Sequence, residues 1–145
     1  MKHALLFAIA AIAHSGATFA DEMEYVPPVT HAATLEECSA CHMAYPAGFL
    51  PPESWSVMMG TLDDHFGENA GLDEKTRAEI EAYLVANAGR DRSKGSAVPL
   101  RISDLPWFRH EHEEEVSKRQ FEKAKSWANC NACHKQAEQG VFEDD

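Results

Sequence analysis

Two copies of one short motif constrain what this chain can fold into more than any other feature. Residues 38–42 read CSACH and residues 130–134 read CNACH. Both have the pattern C-x-x-C-H, which is the attachment pattern of a c-type haem. Two cysteines three residues apart lie on one helical turn, so both sulfur atoms can reach the two vinyl groups on one edge of a porphyrin. The histidine that follows is then carried under the iron as its proximal ligand.

The two motifs use all four cysteines of the chain. We therefore predict two covalently bound haem c groups. The predicted attachment and proximal residues are Cys38, Cys41 and His42 for the first haem, and Cys130, Cys133 and His134 for the second. Two redox-active disulfides or one shared zinc site are the alternative interpretations of four cysteines. The following histidine and the repetition of the motif favour haem.

The first twenty residues have the pattern of a secretory signal peptide. Lys2 and His3 form a polar start, and residues 4–13 (ALLFAIAAIA) form an apolar stretch too short to span a bilayer. Residues 18–20 (TFA) place small side chains at the two positions that a signal peptidase recognises. We predict cleavage after residue 20 and a mature protein in the bacterial periplasm, where c-type haems are attached. No second apolar run follows, so we expect a mature protein that does not span the membrane.

The chain is strongly acidic, with 24 Asp and Glu against 13 Lys and Arg and a formal net charge of −11. This charge makes nucleic acid an improbable partner, because nucleic-acid binding depends on neutralising phosphates with basic side chains. It favours a redox protein partner with a basic patch, which electrostatic attraction would steer towards the acidic surface.

Helical periodicity and capping signals predict an all-α protein. Thr34 and Glu37 form a capping box that starts a short helix carrying the first motif. Pro52 starts a second helix, and Asp73 caps a third that runs from about residue 74 to residue 88. On the second helix one apolar face is formed by Trp55, Met58, Met59 and Leu62.

The sequence divides into two haem domains. Residues 90–99 are polar and contain glycine, serine and proline, so we predict a linker there, between an N-terminal domain of residues 21–89 and a C-terminal domain of residues 100–145. One charged helix is expected over residues 109–127, ahead of the second motif. Residues 21–33 are predicted to form an extended arm, and residues 136–145 a frayed acidic tail.

Several stretches resemble known cytochromes. Residues 38–88 resemble a class I cytochrome c, with the haem motif first, a proline-rich loop next and a final helix containing IEAYL. More specifically, CSACHMAYPAGFLPPESW, LDDHFGENAGLD, and PWF followed by histidines resemble the dihaem cytochrome c family. The resemblance covers nearly all of the mature chain.

The resemblance implies a periplasmic electron carrier with two covalent haems, each iron being coordinated by two histidines. It implies a class I-like N-terminal domain and a second domain with a small helical arrangement of its own. The implied partners are an oxygen-binding monohaem cytochrome c and a b-type membrane cytochrome.

Each iron needs a sixth ligand or keeps an open site. The candidates are Met43, Met58, Met59, His31, His65, His110 and His112. Met43 follows the proximal histidine directly, and Met58 and Met59 fit the apolar face of their helix, where methionine is usually a packing residue. His31 lies in the predicted arm. We predict His65 as the first distal ligand, because it lies in a glycine-containing loop where a class I cytochrome c often presents its distal methionine.

For the second iron, only His110 and His112 lie near the motif in the sequence. On a helical wheel at about 100° per residue they point roughly 200° apart, so only one of them can face the haem. The wheel does not decide between them. We predict His112, with His110 as the alternative, because His112 lies inside a regular helix and because its spacing from Trp107-Phe108 better matches the family resemblance.

Two six-coordinate irons would leave no room for substrate, so the sequence predicts an electron carrier with no catalytic residues. The alternatives are a haem enzyme, such as a peroxidase or reductase with one open haem, and a redox or gas sensor with a labile distal histidine.

Overall fold

The computed structural model describes residues 25–143, except for residues 94, 96 and 114. The predicted signal peptide lies outside these residues. The described chain is helical and contains isolated bridges but no β-strand, which confirms the all-α prediction. No helix in it is both long and apolar enough to cross a bilayer. The α-helices are α1 (Ala32–Cys38), α2 (Pro52–Met59), α3 (Glu74–Ala86), α4 (Pro106–Glu113) and α5 (Lys118–Ala124).

The starts of α2 and α3 are set by local sequence, as predicted. Pro52 is the first residue of α2, where its missing N–H costs no helical hydrogen bond. The Asp73 carboxylate accepts hydrogen bonds from the backbone N–H groups of Lys75 and Thr76, at 3.1 and 3.2 Å, and so satisfies two unpaired donors at the start of α3.

The start of α1 differs from the prediction. The helix begins at Ala32, and its N-cap residue His31 makes no side-chain capping bond. The predicted capping box is therefore wrong. Thr34 is buried within the helix, and its hydroxyl lies 3.0 Å from Nδ1 of His31. Thr34 therefore contacts the N-cap residue from within the first turn and is not itself the cap.

His31 is part of the contact between α1 and α3, and the arm before it is extended but packed. Its Nε2 lies 3.2 Å from a Glu79 carboxylate oxygen, and its ring stacks on Tyr83 at 4.8 Å between centroids. Val26 and Val29 of the arm are buried. His31 is thus held against α3, away from both C-x-x-C-H motifs.

The predicted single helix over residues 109–127 is wrong, because two helices, α4 and α5, replace it. Ser117 has extended backbone angles and caps α5: its hydroxyl accepts from the Gln120 N–H, and the Gln120 side chain accepts from the Ser117 N–H. This reciprocal capping box starts a new helix inside the stretch that was predicted as one charged helix. Lys125, with a φ of 65°, then ends α5.

One core joins the elements. Helices α2 and α3 pack together around Trp55, Met59, Ile80 and Leu84. Leu105 and Phe108, which follow residues 90–99, belong to the same hydrophobic cluster. The division into two domains stays a prediction, with a shared core running across the proposed linker.

The predicted frayed tail is wrong for its described part, residues 136–143. Ala137 is completely buried, and the Val26 N–H donates to the Gly140 carbonyl at 2.8 Å. Gly140 has a φ of 81°, and a Cβ there would lie 1.9 Å from the Val26 carbonyl oxygen, so only glycine fits. The last described residues are therefore packed against the arm, which places Phe142 and Glu143 beside the second motif.

Candidate haem-binding site

The first motif lies at the end of α1. Cys38 is the last residue of the helix, and Cys41 and His42 follow in an exposed turn. Burial, and to a lesser degree the nearby Glu37 carboxylate, raises the pKa of the Cys38 thiol. Nδ1 of His42 lies 2.7 Å from the Met43 carbonyl oxygen. Because a carbonyl only accepts, Nδ1 carries the proton, and Nε2 keeps its lone pair for a metal.

His65 is presented to this motif by a tight turn. It follows the 3₁₀ turn Leu62–Asp64, and Phe66 and Gly67 have φ angles of 58° and 99°. The His65 N–H donates to the Glu68 carbonyl at 2.7 Å, which closes the turn. Sequence analysis placed His65 in a loop, and the structure shows that this loop holds its ring towards the first motif.

The rings of His42 and His65 lie 6.2 Å apart between centroids, with planes 28° apart. Two imidazoles that bind one metal from opposite sides have centroids about 6 Å apart, given metal–nitrogen bonds of about 2 Å. The spacing therefore fits an iron between the rings. Burial is the main cause that lowers the pKa of His65, and the charges of His42 and Arg101 add to it. The lowered pKa favours the neutral ring that binds a metal.

The second motif opens onto a larger cavity of about 590 Å³, within the ~300–1,000 Å³ of typical cofactor pockets. Cys130, Cys133, His134 and His112 all line it. Its remaining walls include six aromatic side chains, which are Phe49, Trp107, Phe108, Phe121, Trp127 and Phe142. An apolar cavity with two thiols and two imidazoles suits a porphyrin attached through its edge.

The rings of His112 and His134 lie 6.1 Å apart between centroids, with planes 76° apart. Nδ1 of His112 donates to the Phe108 carbonyl at 2.8 Å, and Nδ1 of His134 donates to the Glu143 carbonyl at 3.2 Å. Both Nε2 atoms are thus left to bind a metal. The spacing again fits one iron between two imidazoles.

His110 and His112 are both on α4, but they differ in position. His112 is half-buried, stacks on Phe108 at 3.9 Å between centroids and lines the cavity. His110 is exposed and does not line this cavity. The helix therefore presents only one of the two histidines to the second motif, as the helical wheel requires.

The other candidate ligands lie elsewhere or serve packing. Met43 is buried beside the first motif, and Met59 is buried in the core. Met58 is half-buried and lines a cavity of about 360 Å³ beside His65. Arg101 lines the same cavity, with its guanidinium 3.8 Å from the centre of the Phe66 ring.

No disulfide joins any two of the four cysteines. Burial raises the pKa of the Cys130 thiol to about 11. Over residues 25–143, apart from the three undescribed positions, no group of three His, Cys, Asp or Glu side chains is arranged to hold a metal ion by itself.

One residue of the site was missed by sequence analysis. The Tyr45 ring stacks on His42 at 4.7 Å between centroids, with planes 18° apart, and its hydroxyl donates to the Ala128 carbonyl at 2.6 Å. Burial, followed by the charge of Cys130, raises the pKa of Tyr45 to about 12, which keeps the hydroxyl a donor. In the sequence, the signal was an aromatic residue three positions after the motif histidine.

Comparison with known proteins places these features in a family. The model of the family described as dihaem cytochrome c matches residues 34–142. Among proteins with curated descriptions, none matches the chain.

Solved structures match closely. A diheme cytochrome c from Rhodobacter sphaeroides is 54% identical, covers 81% of this chain and 100% of its own, and has a TM-score of 0.76. The crystal structure of DHC purified from the same organism is 56% identical over 79% of this chain and 99% of that one, with a TM-score of 0.72. A diheme cytochrome type c from Shewanella baltica OS155 is 37% identical over 77% of this chain and 86% of that one, with a TM-score of 0.68.

Both motifs and both histidine pairs lie inside the matched residues 34–142. The resemblance predicted from the sequence is confirmed, and so is the prediction of two haem c groups with their irons. The aromatic cavity and the paired imidazoles are compatible with such groups. The chain therefore belongs to the dihaem cytochrome c family.

Proposed function

We propose that this protein carries electrons on two bis-histidine haems. In this proposal His42 and His65 coordinate one iron, His112 and His134 coordinate the other, and the two cysteines of each motif form the thioether bonds. The observation that carries it is the pair of ring separations, 6.2 and 6.1 Å, which match each other and the spacing of two imidazoles on one metal. When bound, haem iron supplies one-electron redox chemistry.

The chain's own residues fix the orientation of three of these four imidazoles. His42, His112 and His134 each donate Nδ1–H to a backbone carbonyl. Such a bond holds the ring in the tautomer that ligates through Nε2, and it makes the imidazole a stronger electron donor. A ligand set held in place by the backbone changes little when an electron arrives or leaves, as a carrier requires.

Two filled axial positions on each iron leave no open coordination site for a substrate. The role of the protein is then to set potential, orientation and docking, while the iron holds the electron. We propose a periplasmic location, which the leader-like residues 1–20 support, and a redox partner with a basic patch, which the net charge of −11 supports. A monohaem cytochrome c that binds oxygen and a membrane b-type cytochrome are the partners that the family resemblance suggests.

One observation favours a second candidate function, that of a gas or redox sensor. Among the described residues, ring-nitrogen hydrogen bonds hold His31, His42, His112 and His134, but none holds His65. A distal histidine without this support is the one most able to leave the iron and open a site for a small molecule.

Low-temperature electron paramagnetic resonance of the ferric protein, combined with carbon monoxide exposure of the ferrous protein, distinguishes the two functions. A carrier gives two low-spin ferric signals and no rapid carbon monoxide complex. A rapid carbon monoxide complex at one haem per chain would contradict the carrier and favour the sensor. A high-spin ferric signal in the untreated protein would favour an enzyme with an open haem.

A further inference from the structure

The Tyr45 side chain links the first haem-binding motif to the segment just before the second. Tyr45 lies in the segment between α1 and the 3₁₀ turn Ala47–Phe49, and its ring packs face to face on the His42 imidazole. Its hydroxyl reaches the carbonyl of Ala128, a residue 83 positions away that lies just before Cys130.

The position of the Tyr45 ring is set by a buried backbone. Ala44 and Ala47 are buried, and Pro46 is among the residues with almost no solvent exposure. Proline also fixes its own φ and restricts the residue before it, which here is Tyr45. The ring is thus held beside His42 by its chain neighbours as well as by stacking.

The segment that Tyr45 contacts is equally well tied down. The Ala128 N–H donates to the Ser126 hydroxyl at 3.1 Å, and the Asn129 side chain donates to the Ala124 carbonyl at 3.0 Å. The Asn129 carbonyl in turn accepts from the Ala132 N–H, inside the second motif, at 3.1 Å. Ala128 thus lies in a segment that is hydrogen-bonded both to α5 and to the second motif.

We propose that Tyr45 is a positioning residue for both haems and the link that couples them electronically. Its ring sets the plane of the His42 imidazole, and its hydroxyl sets the position of the segment that carries Cys130. Every step from His42 to Cys130 along this line is a ring contact, a hydrogen bond or a covalent bond. Electrons tunnel more readily along bonded contacts than across gaps. The inference rests on the proposed ligation of one iron by His42.

The test compares Tyr45→Phe, Tyr45→Leu and Tyr83→Phe in the haem-loaded protein. Tyr83 is a matched control, because its ring stacks on His31 and its hydroxyl accepts from the Thr30 N–H, away from both motifs. The rate at which an electron equilibrates between the two haems is measured after flash reduction. The ferric resonance signals of each variant report on the histidine planes.

Tyr45→Phe keeps the stacking and loses the hydrogen bond. We expect electron equilibration to slow several-fold while the ferric signals stay at their wild-type positions. Tyr45→Leu also loses the stacking, so it should in addition shift the signal of the His42 haem. Tyr83→Phe should change neither measurement.

Equilibration at the wild-type rate in Tyr45→Phe would overturn the inference, and so would equal slowing in Tyr83→Phe, which would indicate a general loss of structure. Wild-type protein without two low-spin signals would contradict the proposed ligation, and the inference with it. The absence of two low-spin signals is visible in the wild-type protein before any Tyr45 variant is made. Failure of the proposed ligation is therefore distinguishable from failure of the inference about Tyr45.

Discussion

The two pairs of imidazoles differ most in the angle between their planes, which is 28° for His42 and His65 and 76° for His112 and His134. The ligand planes determine which iron d orbitals receive electron density from the two rings. Near-parallel planes split these orbitals strongly and give a rhombic ferric spectrum. Near-perpendicular planes leave these orbitals almost degenerate and give a very anisotropic ferric spectrum. The two haems should therefore be distinguishable in one spectrum of the untreated protein.

The second pair is tested by single alanine substitutions on α4. His112→Ala should convert the strongly anisotropic low-spin signal to high spin and leave the rhombic one intact, because His112 alone faces His134 from this helix. His110→Ala is the matched control and should leave both signals unchanged. Low-temperature electron paramagnetic resonance of the two variants is the measurement. The reverse pattern would assign the iron to His110.

The first pair is tested by His65→Met. Thioether sulfur favours ferrous iron relative to imidazole, so one potential should rise by about 0.1 V or more within the ~0.8 V span that axial ligands control. We expect it to be the higher of the two wild-type potentials. Both proposed ligands of the second haem have Nδ1 hydrogen bonds, whereas only His42 of the first proposed pair has one.

A spectroelectrochemical redox titration measures both potentials. His31→Met is the control, since His31 contacts Thr34, Glu79 and Tyr83 and faces neither motif. It should leave both values in place. If His65→Met also leaves both in place, His65 is not a ligand, and Met58, which lines the adjoining cavity, becomes the first residue to substitute.

At the scale of elements, the predictions succeeded where a helix boundary depends on its own neighbours. Asp73 and Pro52 act within one turn of the residues they serve, so their roles are visible in the sequence. Thr34 failed as a cap because the helix begins earlier, with His31 at the N-cap position. His31 is held by Glu79 and Tyr83 of α3, which are distant in the sequence, so no local pattern reveals this start. Ser117 and Gln120 are a missed local signal: the charge pairs of the surrounding stretch concealed a capping box.

The same distinction applies to the candidate site. Cysteine spacing identified both motifs, because attachment to one porphyrin edge requires that spacing. The loop position of His65 also suggested its role. Tyr45 was missed because its contact with Ala128 joins distant parts of the chain, which residue type does not encode. Its other partner, His42, lies on its own segment.

The cap of α3 gives a prediction with a defined pH dependence. Hydrogen bonds from the Thr76 hydroxyl and backbone, and from the Lys75 backbone, lower the pKa of Asp73 below its ordinary value of 3.8. Its stabilising contribution is therefore complete above the unfolded-state pKa and is lost as the pH falls through the lower folded-state pKa. Asp73→Ala should lower Tm at neutral pH, and the difference from wild type should shrink in strong acid.

Thermal unfolding of the haem-loaded protein, followed by circular dichroism at neutral and acidic pH, is the measurement. Asp73→Asn is the matched control, because asparagine also caps helices well but does not titrate. It should keep most of the neutral-pH Tm. Equal losses in the two variants would mean that the charge, and not the capping bonds, stabilises α3.

At the scale of the whole molecule, the acidic surface determines how partners approach. With a basic redox partner, the second-order electron-transfer rate should fall about tenfold or more as salt is raised from low to physiological concentration and beyond. Stopped-flow kinetics at several ionic strengths measures this. An uncharged small reductant is the control and should show little dependence on salt. A flat or rising dependence with the protein partner would indicate an apolar contact around an exposed haem edge.

The packing of Gly140 and Val141 on the arm has a consequence for the order of maturation. The cysteines and histidines of the first site lie within residues 38–65, whereas the second depends on residues as far apart as Phe108 and Glu143, whose carbonyl orients His134. If the leader-like residues 1–20 direct export, a chain that leaves the translocase N-terminus first presents the whole first site before the residues of the second. Haem can then be attached to the first motif before the chain is complete. The hydrogen bond from the Val26 N–H to the Gly140 carbonyl joins the two ends of the described chain, so it can form only after the residues of the first site are present.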